Sequence, residues 1–505
     1  MASPASQDYT LVATKHGRWE RDIDEVEQFY TTLARSFEGT GRTFFAMTAH
    51  ISFVVTEPES MEAIAHRVIV SIRQAWLRIR YDHPTVASWV EYQEDKKKCR
   101  KVYEPCFTNE RKQQAWLNET IRPVPTTQSG EEWCNSDPPV PKLPTLFLIY
   151  NNNYVGAKKS FDLVLRSHHD IVDGIGALLL LNNIMKYTSA AYENPHDFHI
   201  STYDKEWQNL SPPFRVAASL PACMTEEQER KLQQTKEQKE LCKKDVEIAT
   251  VPYDDSSTVP GAHKRTALTL TADKTHRVLG ACQKIGASVT HVYHASAALV
   301  LFGLQKQTSM ERKVRYINYS LINERGHCRK PYNSPLHAVS VYHSVSGKSL
   351  VLDSIIPAIG TAKPSIKEQL QELRRAVEQV KSYYLDIRND KEHVYLVPAY
   401  WVLGTPSYPA GDEAPPIPAP NKMPSVSMSS MGVIDKIMPE RYGAFELFSP
   451  WVTGEELGNG FGLFLGTFRG CLELSIAYNN AWHTKEDAAS FMDKCNNLVL
   501  QLLDM

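Results

Sequence analysis

The sequence predicts a mixed α/β protein in two halves, each a mixed β-sheet flanked by helices. Three observations predict it. At 505 residues the chain is longer than one hydrophobic core usually serves. Strand-like alternation and helix-like periodicity succeed one another on both sides of the middle. Between them, residues 206–264 are polar and punctuated by Pro212, Pro213, Pro221, Pro252 and Pro260, which reads as a crossover linker between 1–205 and 265–505.

In the first half, Val26, Phe29, Tyr30, Leu33 and Phe37 fall at helical spacing over 24–37. Met47, Ala49, Ile51, Phe53 and Val55 alternate as in a half-buried strand. Residues 61–79 form a second amphipathic helix, which His83-Pro84 ends because the residue before proline is pushed out of the α region. Lys96, Lys97 and Lys98 read as a solvated loop. Residues 146–150 and 161–167 are strands about the turn at Asn151–Asn153, and a buried helix covers 175–187. In the linker, 225–244 is polar all round and opens on Thr225-x-x-Gln228, a capping box on a solvent-bridging helix.

The second half repeats the alternation. A strand at 266–271 precedes a helix at 274–284, then Gly286 and a helix opening near Thr290. Strands at 315–321 and 338–343 lead into a long helix over 365–384. Residues 406–424 are a proline-rich loop. Arg469-Gly470 turns a hairpin between strands 461–467 and 472–478, and Thr484 caps a last helix.

Composition narrows the function. The formal net charge of -2 offers no whole-chain field for nucleic acid or an anionic membrane. The apolar run near 295–304 is too short for a membrane span. The first residues lack the charged and apolar regions of a signal peptide, and the C-terminal Gln501–Met505 lacks a prenylation cysteine. Nine scattered cysteines contain no Cys-x-x-Cys pair, which argues against a disulfide framework and a structural zinc site. The expectation is a cytoplasmic protein with reduced thiols, no metal and a monomeric state.

The chemistry concentrates in His168-His169-Asp170-Ile171-Val172-Asp173-Gly174, where a strand gives way to a helix. Adjacent strand residues point to opposite faces, so both histidines cannot address one centre, which weighs against a metal site. A histidine facing a cleft suits general-base work because imidazole titrates near neutrality. Asp173 either orients His169 or pairs with a cation to lock the loop. Gly174 either lets the backbone turn tightly or lets a substrate approach. A string of this form arises by chance in such a chain with odds on the order of one in a thousand, so the motif carries weight. His291 and His294, one helical turn apart, lack a third ligand and read as core or surface residues. There is no Gly-x-Ser-x-Gly elbow, Walker loop or complete dinucleotide fingerprint.

Residues 168–174 resemble the His-His-x-x-x-Asp-Gly signature of the superfamily that includes chloramphenicol acetyltransferase, BAHD acyltransferases and peptide-synthetase condensation domains. The order of elements along nearly the whole chain is similar too. Length and the Asn323-Glu324-Arg325 segment resemble fungal trichothecene 15-O-acetyltransferases most. The resemblance implies two chloramphenicol-acetyltransferase-like domains with the active-site tunnel between them. It also implies that His169 takes a proton from the acceptor as that acceptor attacks a thioester. In it, Asp173 is structural and pairs with an arginine, here matched to Arg325, and acetyl-CoA is the co-substrate. The plant-type Asp-Phe-Gly-Trp-Gly segment is missing; Gly458–Gly462 is only a glycine-rich approach to a strand, and Ser430-Met431-Gly432 matches a conserved short segment weakly.

The expected function is therefore O-acylation, most simply acetylation, of a small hydrophobic secondary metabolite such as a trichothecene. Transfer is direct, because no serine or cysteine is positioned as a covalent nucleophile. The alternatives are a condensation-type enzyme that uses a carrier-protein thioester and a non-catalytic binding relative. The residues that bind CoA and the oxyanion are not readable from one sequence.

Overall fold

The computed structural model describes residues 9–503 except 16, 107–108, 155, 201–204 and 362–363. The N-terminal run searched for a leader, residues 1–8, and the last two residues lie outside the described residues.

The first half is organised around strand Met47–Thr56. Its alternate side chains Met47, Ala49, Ile51, Phe53 and Val55 are all at most 3 % exposed. It pairs antiparallel with Lys158–Ser167, which pairs with Thr145–Tyr150, which in turn pairs parallel with Ile121–Pro125. Helices Met61–Asp82 and Gly174–Glu193 pack together against this sheet, and Pro84 follows His83 at the end of the first. The alternation over 47–55 and the apolar stripe over 61–79 are thus two faces of one core. A separate hairpin, Ser88–Gln93 and Lys98–Tyr103, was not evident in the sequence. Lys98 opens its second strand and pairs with Asp22 at 2.8 Å, so only Lys96 and Lys97 belong to the turn.

The second half has a four-stranded sheet in the order His263–Thr269, Cys471–Asn479, Phe461–Phe468, Val426–Val433. Helix Val289–Gly303 is apolar all round and lies between Ile366–Asn389 and Lys485–Leu502. Within it His294 is fully buried, its two ring nitrogens bonded to the Tyr384 and Tyr316 hydroxyls at 3.1 Å each, which makes it a core residue. His291 Nδ1 accepts the Ser288 amide in a capping box. The linker helix is Glu226–Leu241, capped by Thr225 and Gln228; its Leu232 packs on Leu396 and Tyr400 of a helix the sequence pattern had not separated, His393–Gly404. No single helix among the described residues is long and apolar enough to cross a membrane.

One strand joins the halves. Residues Phe445–Gly454 leave the second half and pair antiparallel with Met47–Thr56, from Phe445 opposite Val55 to Gly454 opposite Met47. A bulge between Phe448 and Trp451 places Ser449 at φ 46 and Pro450 where no ladder donor is needed. Together with Arg441–Tyr442, this segment extends the first half's sheet to six strands.

Candidate active site

The motif begins where strand Lys158–Ser167 stops. His168–Asp173 is a tight turn in which the Ile171 amide donates to the His168 carbonyl at 3.3 Å, and Asp173 caps helix Gly174–Glu193. The histidines separate because the backbone turns, not because a strand alternates. His168 lies on the side of Asp170 and Lys101, where burial, with Lys101 adding to it, lowers its pKa against the pull of Asp170. His169 turns the other way, against Tyr30.

His169 is half-buried between the halves. Its Nδ1 is buried without a hydrogen-bond partner, which leaves Nε2 as the open ring nitrogen. Burial, and then His343, push the imidazole down to about 3, with its own carbonyl and Asp173 acting weakly in the other sense. The ring is therefore neutral across the physiological range.

Asp173 accepts four hydrogen bonds from three donors. Arg325 Nη1 reaches both carboxylate oxygens at 2.9 Å, the Gly176 amide donates at 2.7 Å and the Tyr342 amide at 2.8 Å. Burial alone would raise this carboxyl, but Arg325 and then His343 outweigh it and hold it well below the usual carboxylate range. Arg325, on the 3-10 turn Glu324–His327, spends its second guanidinium nitrogen on Ser340 Oγ at 3.2 Å. The structure thus brings Asp173 and Arg325 into one buried ion pair, 3 % and 6 % exposed.

The expected strand at 338–343 does not form; only His343–Val345 is a strand. Residues 338–342 are all buried, and two of their backbone groups bond the motif. The Asp173 amide donates to the Ser340 carbonyl at 3.1 Å, and the Tyr342 amide returns a bond to Asp173. This segment pins the second half to the motif.

Gly174 is the first residue of its helix and does not adopt positive φ, so the tight-turn reading of this glycine fails. A Cβ there would meet Met431 Sδ at 3.4 Å, an ordinary contact. Gly176 is the demanding position, and sequence reasoning passed over it. A Cβ on Gly176 would lie 2.4 Å from the Ala338 carbonyl oxygen and 2.8 Å from Arg325 Nη2. Gly176→Ala should therefore destabilise the protein by about 1–3 kcal/mol through overpacking, with Gly174→Ala nearly neutral. Urea-denaturation midpoints of the two variants check this; equal midpoints would refute it.

Under the motif lies a charged cluster also missed in the sequence. Lys101 Nζ bonds the Asp170 carbonyl at 2.6 Å and pairs with Glu27 at 2.9 Å and Asp170 Oδ2 at 3.2 Å. Arg21 grips Glu27 with two nitrogens at 2.7 and 2.8 Å. Burial opposes the charge on Glu27, but Arg21 and Lys101 overcome it and bring its carboxyl down to about 2. The only sequence signal was Glu27 at the third helical position after Asp24, a capping box the structure forms.

Beyond Met431 a cavity of about 370 Å³ opens between the crossing strand and the second half's sheet, walled by Phe448, Trp451, Val452, Phe464 and Phe468. Among the described residues no cluster of three or more histidine, cysteine or acidic side chains has the arrangement of a metal site.

No family model matches the chain. Acetyltransferase pigO of Monascus ruber is 22 % identical over 490 residues, covering 96 % of each chain. O-acetyltransferase pigM of the same organism is 25 % identical over 488 residues, 95 % of this chain and 84 % of that one. The TRI3 trichothecene 15-O-acetyltransferase from Fusarium sporotrichioides superposes with a TM-score of 0.78 over 99 % of both chains at 14 % identity. The chain therefore shares the two-half fold of that acetyltransferase and of condensation domains, and along nearly its whole length it is similar to two proteins named as acetyltransferases.

Proposed function

We propose that the protein transfers an acetyl group from acetyl-CoA directly to a hydroxyl of a small, largely apolar acceptor, with His169 as general base. The observation that carries this reading is the open Nε2 of a neutral imidazole held between the two halves. In that state His169 accepts the hydroxyl proton while the alkoxide attacks the thioester carbonyl. The same proton then leaves on the departing CoA sulfur. Asp173 and Arg325 shape the loop and do not touch the reacting atoms.

Direct transfer is supported by the state of Cys328, three residues after Arg325. Burial raises Cys328 to about 12, so it is no ready nucleophile. A small hydrophobic acceptor, for which a hydroxylated terpenoid such as a trichothecene is a suitable form, is supported by the shared fold of the trichothecene 15-O-acetyltransferase. Nine free cysteines support a cytoplasmic setting.

The test is incubation with acetyl-CoA and a library of hydroxylated terpenoids, read as the mass gain of one acetyl group. Activity only with an acyl-loaded carrier protein would instead assign a condensation reaction. The pH dependence is a second check. A base whose pKa is lowered stays deprotonated as pH falls, so kcat/KM should show no acid limb at 6.5, the ordinary histidine value, and should hold down toward about 3 while the fold lasts. A half-maximal point between 6 and 7 would count against His169 in this environment.

A further inference from the structure

His169 alone does not fix the plane of its own ring. The second torsion of histidine is soft, and no other residue hydrogen-bonds its buried Nδ1. What lies flat against it is Tyr30, from helix Glu25–Ser36, with ring centroids 3.8 Å apart and planes 4° from parallel. A stacked phenol could still rock, but its hydroxyl bonds His343 Nε2 at 2.8 Å. His343 opens the short strand His343–Val345, paired with Leu321–Asn323, which runs directly into Arg325. Its other nitrogen, Nδ1, is 3.8 Å from Asp173 Oδ2. Trp401 closes the back, its ring 5.8 Å from Tyr30 and 5.4 Å from His343.

We propose that Tyr30 and His343 form a brace that sets the plane of His169 and ties it to the Asp173–Arg325 pair; both are positioning residues for acyl transfer. The proton arrangement follows from chemistry. Burial, and then Asp173, keep the Tyr30 hydroxyl protonated, and the Asp173 carboxylate facing His343 Nδ1 favours the tautomer whose Nε2 accepts from that hydroxyl. The remaining His343 proton then sits on Nδ1, facing the carboxylate. The motif aspartate thus reaches the base not by contact but through an imidazole and a phenol. The brace also spans the halves, with Tyr30, His169 and Asp173 from one and His343 and Arg325 from the other. Seating the second half and orienting the base are one event. This inference rests on the reading of His169 as the base.

Four variants test it: Tyr30→Phe, His343→Ala, the double variant and His343→Gln. Tyr30→Phe keeps the stack and removes only the tether. Tyr30→Phe and His343→Ala should each lower kcat on the order of 10-fold, with KM for acetyl-CoA and acceptor within about twofold of the parent. Because both cut one chain of contacts, the double variant should be no slower than the slower single. His343→Gln offers the Tyr30 hydroxyl an acceptor and should recover part of the rate. Parental kcat in both singles, multiplied losses in the double, or a change confined to KM would overturn the brace. Should His343→Ala fail to fold by circular dichroism, Tyr30→Phe against His343→Gln decides: a lower kcat in Tyr30→Phe supports the brace, and an unchanged one overturns it. His169→Ala run alongside separates the two readings. If it retains the parental rate the base assignment fails, whereas an inactive His169→Ala beside fully active brace variants overturns the brace alone.

Discussion

Replacing His169 by alanine should cut kcat by about 10²–10⁴-fold, the contribution of a positioned general base. KM for acetyl-CoA should change little, because the imidazole is assigned no part in holding the nucleotide. The fold should survive. No other residue hydrogen-bonds His169 Nδ1, so truncation orphans no side chain, and the loss is the Tyr30 stack and the tilted contact with the His343 ring at 5.4 Å. Steady-state rates with an acceptor found in the mass screen, beside a thermal melt, separate catalysis from folding. A His169→Ala enzyme that kept the parental rate would end the proposed mechanism. His168→Ala is the natural control: its ring lies toward Asp170 and Lys101, and a loss there should come with destabilisation.

Arg325→Ala should destabilise the protein by about 3–5 kcal/mol, the usual result of leaving one member of a buried ion pair alone. Asp173, 3 % exposed, would keep two amide donors but lose both guanidinium contacts. The damage should spread to Ser340, which shares the same guanidinium. Arg325→Met combined with Asp173→Asn should regain much of the loss, since neither partner is then charged and the asparagine can still cap the helix. Urea midpoints of parent, single and double variants make the comparison. A single variant as stable as the parent would show the pair to be dispensable. Activity in the single variant should fall with stability, because Asp173 also backs His343.

Much of this was legible in the sequence where local rules act. Thr484 and Thr225 announced their helices because capping is a contact within one turn. The motif stood out because its residue types are improbable together, and the resemblance of Asn323-Glu324-Arg325 to a family segment was enough to match Arg325 to Asp173. What failed was whatever depends on partners far along the chain. Tyr30 read as one more apolar stripe residue; only its hydroxyl, which a buried tyrosine must satisfy, hinted otherwise. His343 looked like the end of a strand because 338–343 is rich in valine, yet every residue there is buried, and the Ser340 carbonyl and Tyr342 amide bond Asp173. The crossing strand Phe445–Gly454 was invisible, since nothing local distinguishes a strand that joins a sheet nearly 400 residues back.

That crossing strand also orders the protein's assembly in time. A nascent chain that has emerged only through residue 205 has every helix of its first core but an open edge along Met47–Thr56, flanked on one side alone by Lys158–Ser167. An unpaired apolar edge of ten residues is a template for intermolecular pairing. Until Phe445–Gly454 leaves the ribosome, the edge stays unsealed, and closing so long a loop is slow. An N-terminal fragment expressed alone should therefore aggregate, and the whole chain should depend on chaperones during synthesis far more than its stability once folded would suggest.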